Sequence, residues 1–80
     1  MPHFEETIRE AGRALRRVLV KLETTPGQTY EREFEPYAIE NGDLIVFSYL
    51  RNEYRTVPLA DIRAVEVTPR TFTPRRPVDL

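Results

Sequence analysis

The chain has no cysteine, one histidine, three glycines and a single lysine among its twelve cations. Without cysteine it can build neither a disulfide framework nor a thiolate metal site. His3 stands alone near the start with no acid or thiol cluster converging on it, so the sequence gives no metal centre. Gly12, Gly27 and Gly42 are too dispersed to form a phosphate-cradling loop, and Ser48 lacks the Gly-x-Ser-x-Gly surroundings of a hydrolase nucleophile. No apolar run approaches the roughly 20 residues that span a bilayer, and the first residues lack a signal-peptide pattern. These absences lead to the expectation of a cytoplasmic protein that is not an enzyme, carries no cofactor and has no membrane partner.

Eighty residues allow one domain, near the size at which a single core only just outweighs chain entropy. Self-association is one way to gain further burial, so a homo-oligomer is a candidate state. The net charge of −1 gives no overall attraction to nucleic acid. Charge is unevenly placed, with acids at Glu31, Glu33 and Glu35 and bases at Arg70, Arg75 and Arg76. Arginine, which supplies every cation except Lys21, suits planar two-point contacts to carboxylate or phosphate.

Residues 3–16 read as a helix. Phe4, Ile8, Ala11 and Leu15 draw one apolar stripe at spacings of four, three and four. Glu5 and Glu6 suit the positive end of its dipole, and Arg13, Arg16 and Arg17 the negative end. Its start is open between Pro2 in the first turn and a capping box at Thr7. Gly12 either weakens the helix or lets another element come close.

The period then drops to two. Val18, Val20 and Leu22 alternate with more polar neighbours, and Thr25-Pro26-Gly27-Gln28 supplies turn chemistry. The return strand, residues 29–34, puts Tyr30, Arg32 and Phe34 on one face and leaves Glu31, Glu33 and Glu35 on a solvated one. Pro36 marks an edge or a bend. Asn41-Gly42 is a strong hairpin signal. Residues 44–50 are apolar on both faces apart from Ser48, which predicts a strand covered twice, from inside and by a helix or another subunit. After a turn at Arg51-Asn52-Glu53, residues 54–59 return. Ala60-Asp61-Ile62 links to a last strand at residues 63–67, with Val65 and Val67 pointing inward. Pro69 should end the sheet, and the Pro- and Arg-containing tail, residues 69–80, should be extended, anchored by Phe72 and loose at its end.

The expectation is a mainly β fold: a small five-stranded SH3-like or Sm-like barrel over residues 17–68, with an N-terminal α-helix and an extended C-terminal tail, in one domain spanning 1–80.

Several segments, in this order, resemble the WYL domain, a family named for a Trp-Tyr-Leu triplet in a strand after an Asn-Gly-like turn. They are Thr7–Ala11, Arg17–Val20, Arg32–Ile39, Asn41-Gly42-Asp43, Tyr49, Tyr54–Leu59, Ile62–Thr68 and Arg70–Arg75. The resemblance implies an Sm-like barrel acting as a binding or regulatory module, often beside a transcription regulator. It implies a single-stranded nucleic acid or nucleotide-type ligand held by a basic patch. The chain departs from the family pattern at three places. The triplet reads Leu44-Ile45-Val46, Pro58 replaces a position often basic, and Asp61 stands where a base is expected. The acid replaces attraction to phosphate with repulsion. All 80 residues are taken by helix, barrel and tail, leaving no helix-turn-helix among them.

On that basis Arg55 is the expected phosphate contact, Arg51 and Arg63 its auxiliaries, and Tyr49 or Tyr54 a stacking surface. The plain alternative is that the tyrosines cover the barrel and the arginines pair with Glu53 or Asp61. A second functional reading is a protein-interaction or self-assembly module, using edge strands and a decayed ligand site.

Overall fold

The computed structural model describes residues 4–80. His3, and the choice of Pro2 as the helix start, lie outside the described residues. Helix α1 spans Phe4–Arg13, followed by strands β1 (Arg16–Thr25), β2 (Gln28–Glu40), β3 (Asp43–Ser48) and β4 (Glu53–Pro58). A 3-10 turn, Leu59–Asp61, leads into β5 (Ile62–Thr71). All strand pairs are antiparallel and form one sheet in the order β4-β3-β2-β1-β5. No helix among the described residues is long and apolar enough to cross a membrane.

The topology forces the sheet to curl. Four strand spacings separate β4 from β5, which would put a flat sheet's edges about 19 Å apart. The link from Pro58 to Ile62 advances four residues and can reach at most about 14 Å. The sheet must therefore bend toward one face, and that face carries the main core. Val57 of β4 and Ile62 of β5 meet there with Val18, Val20, Leu22, Phe34, Leu44 and Val46, closed over by Ile8 and Ala11 of α1. We call this the inner face. No hydrogen-bonded pairing closes β4 onto β5 among the described residues.

The helix is shorter than its apolar stripe. Leu15 takes a left-handed conformation (φ 56°) that stops α1 and turns the chain into β1. Its side chain lies at the surface, outside the core, while its carbonyl accepts the Phe72 N–H at 3.0 Å. Arg16 and Arg17 belong to β1, leaving Arg13 alone in the last helical turn. Gly12 serves the close approach. A Cβ there would collide with Leu80 Cδ1, so the glycine makes room for the end of the tail.

Pro36 sits in a central strand, fully buried, where the β2–β3 register shifts between Pro36 and Ala38. The bend expected from its missing N–H is realised as this irregularity, and the edge is not. Asn41 and Gly42 both have positive φ, as a tight hairpin requires.

Strand β3 is covered on both faces, as its composition predicts, but the second cover is the chain's own tail. Phe47 joins Tyr37, Phe72, Tyr49 and Val78 in a separate cluster on the outer face. The strand stops at Ser48, so Leu50 falls in the following turn and is 65% exposed.

Three further expectations are corrected. Pro69 does not end the sheet, because β5 continues to Thr71. Val67 faces the same side as Val18 but keeps 39% of its surface exposed, since β5 is an edge strand with no neighbour beyond it among the described residues. The tail is tied down along its length. Phe72 is buried, Asp79 forms a parallel bridge to Ala38 with its N–H 2.7 Å from the Tyr37 carbonyl, and Arg13 Nε donates to the Leu80 carbonyl at 2.8 Å.

Candidate functional site

On the inner face, beyond the reach of α1, the sheet leaves an open cleft of about 220 Å³. Its floor is Leu22, Phe34 and Val57, and its walls include Tyr30, Arg32, Ser48, Leu50, Arg51, Arg55 and Asp61. The register explains the gathering. Phe34 pairs with Ser48 and Ser48 with Glu53, so β2, β3 and β4 bring these side chains to one end of the sheet. The turn after β3 and the 3-10 turn before β5 complete the rim.

Three guanidinium groups line this cleft in different states. Arg55 is bonded to Glu53 at 3.1 Å, and both side chains are about half exposed. Such a pair is weak and easily exchanged for a ligand's anion. Arg32 lies over the Tyr30 ring at 4.6 Å and donates to the Glu31 carbonyl at 2.8 Å. Arg51 has its backbone N–H 3.3 Å from Ser48 Oγ, while its guanidinium makes no hydrogen bond or ion pair among the described residues. Asp61 lines the same cleft and is likewise without a hydrogen-bonding or ionic partner among them.

The other expected site residues lie elsewhere. Arg63 is spent at the base of β5, donating to Glu23 at 3.0 Å and to the Ala60 carbonyl at 2.6 Å. The Gly27 N–H and the Arg63 guanidinium together hold the Glu23 carboxyl below its ordinary range. Tyr49 and Tyr54 stand on the outer face. Tyr49 packs edge-on to Phe47 and under Arg17, whose guanidinium is 4.8 Å from its ring. Tyr54 packs against Phe47 and Tyr37 with centroids 5.4 and 5.7 Å apart. Arg51 and Arg55 are thus brought together, whereas Arg63, Tyr49 and Tyr54 are not part of the cleft.

Sequence reasoning passed over Arg32 and Tyr30 as ligand contacts. The signal was present in their two-residue spacing with Phe34, which places all three on the inner face. The aromatic partner of the cleft arginines is Tyr30, across the sheet, and not the nearer Tyr49 or Tyr54.

The outer face overturns the expectation of a solvated acidic stripe. Only Glu31 remains exposed. Glu33 accepts from Arg70 Nε and Nη2, at 2.9 and 2.8 Å, and from Arg17 Nη1 at 3.4 Å. The Arg70 contact holds the Glu33 carboxyl below its usual range despite partial burial. Glu35 is 2% exposed. It accepts the Tyr37 and Tyr49 hydroxyls at 2.5 Å each and Arg75 Nε at 3.1 Å. Burial and the neighbouring carboxylate push the Tyr37 hydroxyl up to about 12 and raise that of Tyr49 as well. Every buried side-chain polar atom described is satisfied, which marks this network as structural. No trio of His, Cys, Asp or Glu among the described residues is placed to hold a metal ion.

Neither a family model nor a curated protein matches the chain.

Proposed function

We propose that this chain is a non-enzymatic WYL-like binding or regulatory module on an SH3-like or Sm-like barrel, working in the cytoplasm. Its ligand is a nucleic-acid or nucleotide-type anion seated in the inner-face cleft. The curl imposed by the short β4–β5 link supports the barrel reading. The observation that carries the functional reading is the Arg51 guanidinium, which lines the cleft without a protein partner beside Arg55 and Arg32. Arg51 is exposed and has no counter-ion among the described residues, so it can meet an incoming anion without first leaving a protein partner. The Tyr30 ring, already stacked on Arg32, offers the flat surface that a base requires.

We place the emphasis on Arg51 ahead of Arg55, because Arg55 has to leave Glu53 before it can take a phosphate. A salt titration of single-stranded oligonucleotide binding tests the proposal. Binding at low salt should weaken in Arg51→Ala and Arg55→Ala and persist in Arg63→Ala. Absence of binding by both oligonucleotide and mononucleotides at low salt, or full binding by Arg51→Ala, removes the ligand reading.

A second reading, a protein-interaction or self-assembly module, is supported by Leu50, 65% exposed at the cleft rim, and by the unpaired outer edge of β4. A monomeric mass at high concentration that Leu50→Asp leaves unchanged counts against it.

A further inference from the structure

The cleft holds an unpartnered charge of each sign. Arg51 and Asp61 both line it, and neither makes a hydrogen bond or ion pair with its side chain among the described residues. They do not neutralise one another, since no nitrogen–oxygen contact within ion-pair distance joins Asp61 to any arginine described. The same cleft is lined by the apolar Phe34 and Val57, and the exposed Leu50 stands at its rim. A surface built only to follow a phosphate backbone gains nothing from a carboxylate in its path. A surface built to read one compact group with an anion at one end and N–H donors at the other gains from both.

Size points the same way. About 220 Å³ falls below the roughly 300 Å³ at which sites for drug-sized ligands begin, which suits a single ring system. A carboxylate only accepts hydrogen bonds, so Asp61 selects rings that present N–H groups. Among nucleobases, guanine offers two adjacent donors, N1–H and the exocyclic amino group, to a single carboxylate. Uracil offers one N–H flanked by two carbonyl oxygens, which a carboxylate repels.

We infer that the cleft is a mononucleotide site for an amino-bearing base, guanine foremost, with Asp61 as its specificity residue and Arg51 as its phosphate anchor. This rests on the nucleotide-type reading above, and sharpens it to one nucleotide and one edge of the base. Asp61 then ceases to be a defect in a basic patch and becomes the group that chooses the ligand.

Binding of guanosine monophosphate, uridine monophosphate and a thymidine oligomer, followed by NMR shifts of the cleft amides, tests the inference. The expected result is a preference for the guanine nucleotide of roughly tenfold, the discrimination given by one good side-chain-to-base pair. Asp61→Ala should erase that preference by weakening the guanine nucleotide alone, and Arg51→Ala should weaken both mononucleotides. Equal binding of the two mononucleotides, unchanged in Asp61→Ala, overturns the inference and leaves the nucleotide-type reading standing. Tighter binding of the oligomer that strengthens further in Asp61→Ala also overturns it, because Asp61 is then only a repulsive charge beside a strand. Failure of all three probes to bind overturns both readings. Amide spectra of the two variants, superimposable on the parent outside the cleft, show that the fold is intact, as expected for side chains that bond to nothing.

Discussion

Arg75 sits over Phe47, its guanidinium carbon 3.8 Å from the ring centroid, while its Nε bonds to the buried Glu35 carboxylate at 3.1 Å. One side chain of the tail thereby makes an ion pair and an aromatic contact with two neighbouring strands.

Glu35 should matter more than Arg75. Glu35→Ala strands the Tyr37 and Tyr49 hydroxyl donors and costs about 2–6 kcal/mol, at about 1–3 kcal/mol for each unsatisfied buried group. Arg75→Ala leaves Glu35 with both hydroxyl donors but removes its half-exposed ion-pair partner and the Phe47 contact, so it costs about 1–2 kcal/mol. Urea melts of the two variants against the parent measure the difference. Equal losses would show that the tail contact, not the tyrosine pair, stabilises the carboxylate.

The left-handed Leu15 offers a gain in stability. A non-glycine residue there carries a steric cost, and its side chain contributes no core packing. Leu15→Gly is expected to stabilise the fold by about 0.5–1 kcal/mol, after allowing for the greater freedom of glycine in the unfolded chain. A thermal melt should show the midpoint rising by a few degrees, at about 4–8 °C per kcal/mol for a domain of this size.

The tyrosines set the alkaline limit. Tyr37 holds its proton to about 12 in the folded chain against an ordinary value of 10, and Tyr49 is shifted in the same direction. The unfolded chain therefore releases these protons first as pH rises. The stabilisation is complete below pH 10 and is lost progressively from there up through the folded value near 12. For Tyr37 this amounts to on the order of 2 kcal/mol. Stability measured from pH 9 to 12 should fall less steeply in Tyr37→Phe than in the parent.

Most of the architecture was legible in local chemistry. Period-two alternation located four strands, an apolar run located β3, and Asn41-Gly42 and Pro26-Gly27 located two turns. Element ends were less legible. Leu15 continues the helical stripe by spacing, yet the chain turns there because β1 must begin, and no propensity announces a left-handed leucine. Glu35 read as solvated because its neighbours Glu31 and Glu33 share its face. Its burial comes from the tail, forty residues away, and no local pattern carries that information. The cleft was half legible. Arg51 and Arg55 stood out as cations near aromatics, but adjacency in sequence suggested Tyr49 and Tyr54, whereas strand alternation sends those rings to the opposite face. Asp61 was read as a reversed charge or as a partner for the arginines, since its place on the rim depends on how the 3-10 turn crosses from one sheet edge to the other.

That crossing also bears on how the chain assembles. Pairings β1–β2, β2–β3 and β3–β4 each join neighbours across short turns and can form early. The β1–β5 pairing instead brings Val18 to Val67, so it closes a long stretch of chain and bears the loop entropy that slows β-rich domains. Because only the 3-10 turn separates β4 from β5, docking β5 draws the far edge of the sheet inward in the same step. The inner-face cleft therefore does not exist until the last strand is home.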